Sequence, residues 1–435
     1  MAEVKPFHGI RYNKSIVKDL SAVICPPYDI ITPQMEEELY RRSPYNFIRI
    51  ENGRQLPQDS TMDNKYTRSA STIEEWLEKK VFIIDETPTI YLHDQYFIYK
   101  GREYRRRCLI ARVRLEDWHK NIVRPHEGTL TEAKSDRMSL LWALRANTSS
   151  ILVMFEDQEQ YISSLIDTQE LGKSIINVDS YDSERHRVWP ITSPRIIIEI
   201  SEFFAEKPLY IADGHHRYES ALIYQREQRS IHSTASEDSA FNYTLMSLVD
   251  FDDPGLVILP PHRLIRGMSS SKLVGLEYKL KAFFDVEEMP LSLPSIWSRV
   301  DKLLADESEI RLFLFGLNDK NLLLLTLRDF TSASKMMPYF HSVLYKRLDV
   351  SIVDHVILEE LLGLSSEDEI KISYNYDRRD AVKQVLKQEH QLAFIIGPIH
   401  SRRIKEISDA GERMPRKSTY FYPKLPSGLV LNRLV

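Results

Sequence analysis

One stretch of this 435-residue chain limits the possible folds more than any other. Residues 209–222 read LYIADGHHRYESAL: an apolar, strand-like run breaks at Asp213-Gly214 and restarts as a helix behind His215, His216 and Arg217. Strands that alternate with helices build layered α/β and α+β proteins, in which each helix buries its apolar stripe on a sheet. The turn also carries chemistry. The opening N–H groups of a helix have no intrahelical partner and together carry roughly half a positive charge, so backbone and dipole bind a phosphate placed there. Gly214 permits positive φ and a close approach of ligand to backbone, and Arg217 offers a planar fork to phosphate oxygens. Gly214, His215, His216 and Arg217 are therefore expected to be phosphate ligands, with Asp213 beside them as a catalytic carboxylate.

Length and charge narrow the class. A chain this long exceeds one ordinary core, and about 100–200 residues per domain predicts two or three domains. A formal charge of −5 argues against a surface built to neutralise nucleic-acid phosphates. The run Tyr104-Arg105-Arg106-Arg107 reads as the solvated face of a strand. Two cysteines, Cys25 and Cys108, make neither a disulfide framework nor a cysteine zinc site, which fits a reducing compartment. The N-terminus MAEVKPFHGI lacks the apolar core of a signal peptide, and no run of about 20 apolar residues is present to span a bilayer. The expectation is a cytoplasmic protein without a nucleic-acid or membrane partner, its oligomeric state left open.

Cys25-Pro26-Pro27-Tyr28-Asp29 is a stiff, extended segment, because each proline fixes its own φ and restrains the residue before it. Periodicity predicts helices over 69–80, 135–146, 196–206 and 381–389, and strands over 90–100, 104–113, 151–155 and 392–396. Leu273, Leu276, Leu280 and Phe283 recur at helical spacing, and Asn318-Asp319-Lys320 joins a hairpin. The Pro- and Gly-punctuated stretch 254–268 marks a boundary, giving a region 1–268 and a smaller mixed α/β domain 269–435.

In Arg124-Pro125-His126-Glu127-Gly128-Thr129 an imidazole and an acid sit between proline and glycine, so Glu127 is a candidate general base or magnesium ligand and His126 a candidate acid/base group. Downstream, Arg137 falls on the stripe of Leu140, Leu141 and Leu144, and a buried arginine needs a partner, either a structural carboxylate or a bound phosphate. Lys134 is placed to reach the same anion. Adjacent His215 and His216 point in different directions and no H-x-x-x-H spacing occurs, which disfavours zinc and leaves any metal ligands unassigned. Pro260-Pro261-His262-Arg263 is a rigid cationic corner, and 413–424 joins Arg413, Arg416, Lys417 and Lys424 to aromatics and prolines, a segment suited to stacking a base and reaching a phosphate. Lys417 is the cation expected to complete the site.

The segments PFHGIRYN, CPPYDII, PHEGTLTEAKSDR, YIADGHHRYESAL, LPPHRLI and MPRKSTYFYPKLPSGLV, in this order, resemble the bacterial and archaeal domain-of-unknown-function family 1015 from Pro6 to Val430. The run Asp213-Gly214-His215-His216-Arg217 also resembles the phosphate-binding turn of the ParB/sulfiredoxin superfamily, which includes kinases of free L-serine. That resemblance implies an α+β fold, a ParB/sulfiredoxin-like mixed α/β nucleotide-binding region followed by a second, smaller mixed α/β domain. It implies that Gly214, His215, His216 and Arg217 hold nucleotide phosphates. Sulfiredoxin's cysteine is replaced by histidine here, which disfavours sulfinic-acid reduction. Glu127, Asp29 and Asp213 remain alternatives for the catalytic carboxylate.

These readings converge on a small-molecule kinase moving phosphate from ATP or ADP, with Mg2+, to free serine or a related hydroxylated metabolite. A phosphatase for a small ester such as phosphoserine, and a nucleotide-binding regulatory protein without turnover, use the same phosphate seat.

Overall fold

The 90–114 hairpin is the spine of the larger sheet. Ile90–Tyr99 and Arg102–Arg114 run antiparallel. They are joined at Lys100 and Gly101, both with positive φ (49° and 76°), the backbone hand that matches the twist of a two-residue hairpin. In the computed structural model, which describes residues 2–129, 131–168, 171–181, 183–365, 368 and 370–435, this spine belongs to a nine-stranded sheet. The strand order is Val123–Arg124, Leu209–Asp213, Ile151–Phe155, Tyr243–Asp250, Arg102–Arg114, Ile90–Tyr99, Glu184–Ile191 and Ile176–Tyr181, with Val4–Lys5 also paired to Arg102–Arg114. Parallel pairs at Val123–Arg124/Leu209–Asp213 and at Ile151–Phe155/Tyr243–Asp250 make the sheet mixed. Leu130, within the segment 125–137, lies outside the described residues.

Two cores flank this sheet, as strand alternation requires. Leu92, Leu109, Ala111 and Val113 meet the helices Pro194–Phe204 and His215–Ile231 through Ile196, Ile200, Phe204, Tyr218 and Leu222. Tyr91 and Ile110 on the other face meet Ile73 and Trp76 of Lys65–Glu78, together with Leu429, Val430 and Leu431. Asn64 caps Lys65–Glu78 through a reciprocal box with Thr67, so the helix expected at 69–80 begins four residues earlier. The helix expected at 135–146 runs Thr131–Leu144 and stops where Arg145 takes φ 46°, freeing Ala146–Asn147 to pair with Asn432–Arg433.

Contacts divide the chain into two units. The first comprises Met1–Pro125, Thr129–Val257 and Pro423–Val435, and the second His126–Gly128 and Ile258–Tyr422. The C-terminal segment belongs to the first unit because Ser427 bridges Cys25 and Leu431 bridges Ile10. The chain enters the second unit before Met268, since His262–Ile265 is an inner strand of that unit's sheet. That sheet is antiparallel, in the order Phe284–Pro290, Asn321–Leu327, Arg311–Phe315, Leu392–Ile395, His262–Ile265 and Ile372–Asn375. Helices Ile296–Leu304 and Arg378–Leu386 cover one face through Ile296, Val300, Ala381 and Val385. The helical spacing at 273–283 is divided at Gly275 (φ 88°) into Ser270–Leu273 and Leu276–Leu280. Among the described residues no helix is long and apolar enough to cross a membrane.

Candidate functional site

The strand Leu209–Asp213 hands over to the helix His215–Ile231 at Gly214, whose φ of 97° and ψ of 29° place it in the left-handed region. Gly214 gives the helix no side-chain cap, and a Cβ there would stand 3.0 Å from the Arg217 guanidinium. Glycine is required by both conformation and space. Asp213 organises the turn: its Oδ2 accepts from Arg217 Nη2 at 2.8 Å and its Oδ1 accepts from Lys424 Nζ. The charges of Lys424 and Arg217 outweigh its burial and hold its carboxyl far below the usual range. Lys424 Nζ also lies 3.5 Å from Asp29 Oδ2, and Asp29 is exposed. Arg217 Nη1 is held by the Ser150 carbonyl at 2.5 Å and Ser149 Oγ at 3.1 Å, which leaves its buried Nε without a partner.

Arg137 is 6% exposed, as its place on the Leu140/Leu144 stripe requires. Its guanidinium sits 4.0 Å from the centre of the Tyr28 ring. It donates to Asp136 Oδ2 at 3.0 Å through Nε, and Nη1 reaches the Glu51 carbonyl at 3.2 Å and Oε1 at 3.5 Å. Its carboxylate partners are thus Asp136 and Glu51. Lys134 Nζ reaches Glu219 Oε2 at 3.3 Å, which also accepts from Thr129 Oγ1 at 2.6 Å. Burial pushes the Tyr28 hydroxyl up to about 12, against the pull of Arg217 and Arg137. Between Arg137 and Arg217 lies a small cavity whose walls include Asn147, Thr148, Ser149 and Ser220.

The expected residues divide between the two units. Asp213, Gly214, His215, His216, Arg217, Lys134 and Arg137 belong to the first, and His126, Glu127 and Lys417 to the second. There His126 is buried, with Nε2 3.0 Å from Thr419 Oγ1 and its carbonyl accepting from Met414 N at 2.8 Å. Glu127 Oε1 accepts the Lys417 N–H at 2.9 Å. The cation of segment 413–424 found at the Gly214 turn is Lys424. One expectation is corrected: Arg106 is not on a solvated face. Strand alternation turns it away from Arg105 and Arg107, and it is fully buried. Glu51, Ser149, Ser150 and Glu219 carried no sequence signal of their own, since single carboxylates and serines are common everywhere.

The fold and site define a mixed α/β protein with a glycine turn opening a helix beside clustered cations. The chain belongs to the family described as Protein of unknown function (DUF1015), whose model matches residues 4–351. No curated protein matches the chain. Among solved structures it is similar to a free serine kinase in complex with AMP, at 14% identity and a TM-score of 0.37, covering 74% of this chain and 92% of that one. A conserved hypothetical protein from Pyrococcus furiosus gives 14% identity and 0.36, over 75% and 95%. C-terminally truncated SbnI from Staphylococcus aureus gives 9% and 0.34, over 73% and 85%.

Proposed function

We propose that the chain is a small-molecule phosphotransferase whose phosphate donor, ATP or ADP, sits on the Gly214 turn. The observation that carries this reading is the mouth of the His215–Ile231 helix: glycine at its cap position, no side-chain cap, and Lys424 and Arg217 gathered there by Asp213. Backbone N–H groups of the first turn hold the terminal phosphate, and Lys424 shifts from Asp213 onto a phosphate oxygen as charge builds there.

Asp213 is a poor base in this scheme, because a carboxyl held so far down has little affinity for a proton. Asp29 takes that role. The acceptor's hydroxyl oxygen forms the new bond to the terminal phosphorus, the bond from that phosphorus to the bridging oxygen breaks, and the hydroxyl proton passes to Asp29. The nucleotide leaves as ADP or AMP. Magnesium enters with the nucleotide as part of the substrate. Both Asp213 oxygens are held by cations, Oδ2 by Arg217 Nη2 and Oδ1 by Lys424 Nζ. Free serine is the acceptor that the resemblance of the Asp213–Arg217 turn implies.

The test is phosphorus NMR of the protein with ATP or ADP, magnesium and a panel of hydroxylated metabolites. The expected outcome is a new phosphomonoester resonance that depends on nucleotide. No product from any acceptor, serine included, contradicts the reading, and phosphate release from phosphoserine without nucleotide replaces it with a phosphatase. Asp29→Asn is expected to lower kcat by roughly 10²- to 10⁴-fold with little change in nucleotide affinity.

A further inference from the structure

In the second unit a cavity opens where three pieces of chain meet: the end of the helix Ile296–Leu304, the start of the helix at Asp349, and the turn that follows the strand Leu392–Ile395. Every residue that lines it belongs to that unit. It offers ≈ 90 Å³ to the centres of water molecules, room for roughly six to nine of them at about 10–15 Å³ each and so for a small amino acid in their place. Most of its charged walls are already paired. Arg311 holds Asp306 Oδ2 at 2.7 Å and also holds Glu309, while Glu307 is met by His400 Nε2 at 3.4 Å and by Arg403 Nη2 at 4.0 Å. Two charges are left over. Asp349 has no described cation within ion-pair distance, and Arg347, two residues earlier, has no described carboxylate within reach; its guanidinium sits 4.6 Å from the centre of the Phe330 ring.

Gly397 locates the Asp349 carboxylate. A Cβ there would stand 3.3 Å from Asp349 Oδ2 and 2.9 Å from the Leu304 carbonyl oxygen, so these two oxygens converge, and both residues line the cavity. The Leu304 carbonyl ends its helix, where the dipole is negative. Burial pushes the Asp349 carboxyl up to about 7, with the Gly397 N–H opposing and the Glu307 charge adding, and no cation acts on it. A carboxylate beside a helix-end carbonyl calls for a cationic donor, and an ammonium group has three N–H bonds to give. The rest of the wall is apolar: Leu303, Ile310 and Ile399 line it and are only half-buried.

We infer that this cavity binds a free α-amino acid with an apolar side chain, its ammonium on Asp349 and the Leu304 carbonyl, its carboxylate on Arg347, and its side chain against Leu303, Ile310 and Ile399. One uncompensated charge of each sign, neither paired with the other, is the complement of a zwitterion. A simple amine or a simple acid leaves one of the two bare. The apolar wall sets this ligand apart from a hydroxylated phosphate acceptor. No residue of the Gly214 turn takes part, so the inference is independent of the phosphotransfer reading and gives the second unit a ligand of its own.

Calorimetric titration of the full chain with L-leucine tests it, beside probes that each remove one feature: isoamylamine lacks the carboxylate, isocaproate lacks the ammonium, and glycine lacks the side chain. Saturable binding of L-leucine is expected, with each of the other probes weaker by roughly tenfold or more. Arg347→Gln and Asp349→Asn are each expected to weaken L-leucine by roughly tenfold or more. Arg347 is exposed, so Arg347→Gln carries the decision if Asp349→Asn does not fold. No uptake of L-leucine at millimolar concentration overturns the inference, as does equal binding of isoamylamine, isocaproate or glycine, or an unchanged affinity in Arg347→Gln. The phosphotransfer reading survives each of these results, because no nucleotide enters the titration.

Discussion

Arg106 in the first unit and Arg263 in the second are both fully buried, and they are finished differently. Arg263 is closed by Asp354, with Nε to Oδ1 at 3.0 Å, Nη2 to Oδ2 at 2.9 Å, and Nη1 on the Pro261 carbonyl at 2.6 Å. Asp354 comes from a π-helical segment, Ile352–Leu361. Every nitrogen of that guanidinium has an acceptor, and its charge has a counter-charge inside the same unit. Arg106 has neither. The difference separates a guanidinium closed by its own unit from one whose Nε and Nη1 are left bare.

Mutation turns that contrast into numbers. The largest expected effect is from Asp354→Ala, which strands Arg263 and lowers the stability of the second unit by about 3–5 kcal/mol in denaturant unfolding. Arg217→Ala comes next: it deletes bonds to Asp213, Ser149 and Ser150 and is expected to cost about 2–3 kcal/mol even without nucleotide. Acid acts on buried imidazoles in both units. Burial, then the charge of Arg106, pushes the His93 imidazole down to about 3, and burial, then Arg378 and Arg263, does the same to His262. The unfolded chain takes up these protons first as pH falls below about 6.5, so the stability that each neutral imidazole contributes is intact above that pH and is lost on the way to 3. Melts at pH 7 and pH 5 are expected to differ by about 2 kcal/mol per imidazole. The smallest effect is from Arg106→Met, expected to change stability by no more than about 1 kcal/mol, because it removes an uncompensated charge along with two hydrogen bonds. If Arg106→Met unfolds as readily as Asp354→Ala, the contrast collapses and Arg106 is architectural.

Legibility followed the range over which each signal acts. The 90–114 hairpin, the 151–155 strand and the turn at 213–214 are readable because their determinants are local: alternation, and a glycine that alone tolerates φ near 97°. Element ends shifted where a distant strand or an unread cap intervened, as at Arg145 and Asn64. The need of Arg137 for a partner follows from its helical stripe, but Glu51, which comes from 86 residues away, does not. The same limit governs segment 413–424. Lys417 and Lys424 are equivalent as letters, and only the return of the chain to the first unit at Pro423 singles out the one that reaches Asp213. Arg106 was unreadable for a related reason. A run of three arginines on a strand belongs to solvent unless both faces of that strand are covered, and coverage comes from residues more than 300 positions away.

The central claim is the phosphate seat at Gly214, and calorimetric titration of ATP and ADP into the wild-type chain and Lys424→Met tests it most directly. The account predicts saturable binding to wild type that weakens as salt rises and is lost, or reduced at least tenfold, in a Lys424→Met protein that still melts cooperatively. A folded wild-type chain that takes up neither nucleotide at millimolar concentration would contradict it.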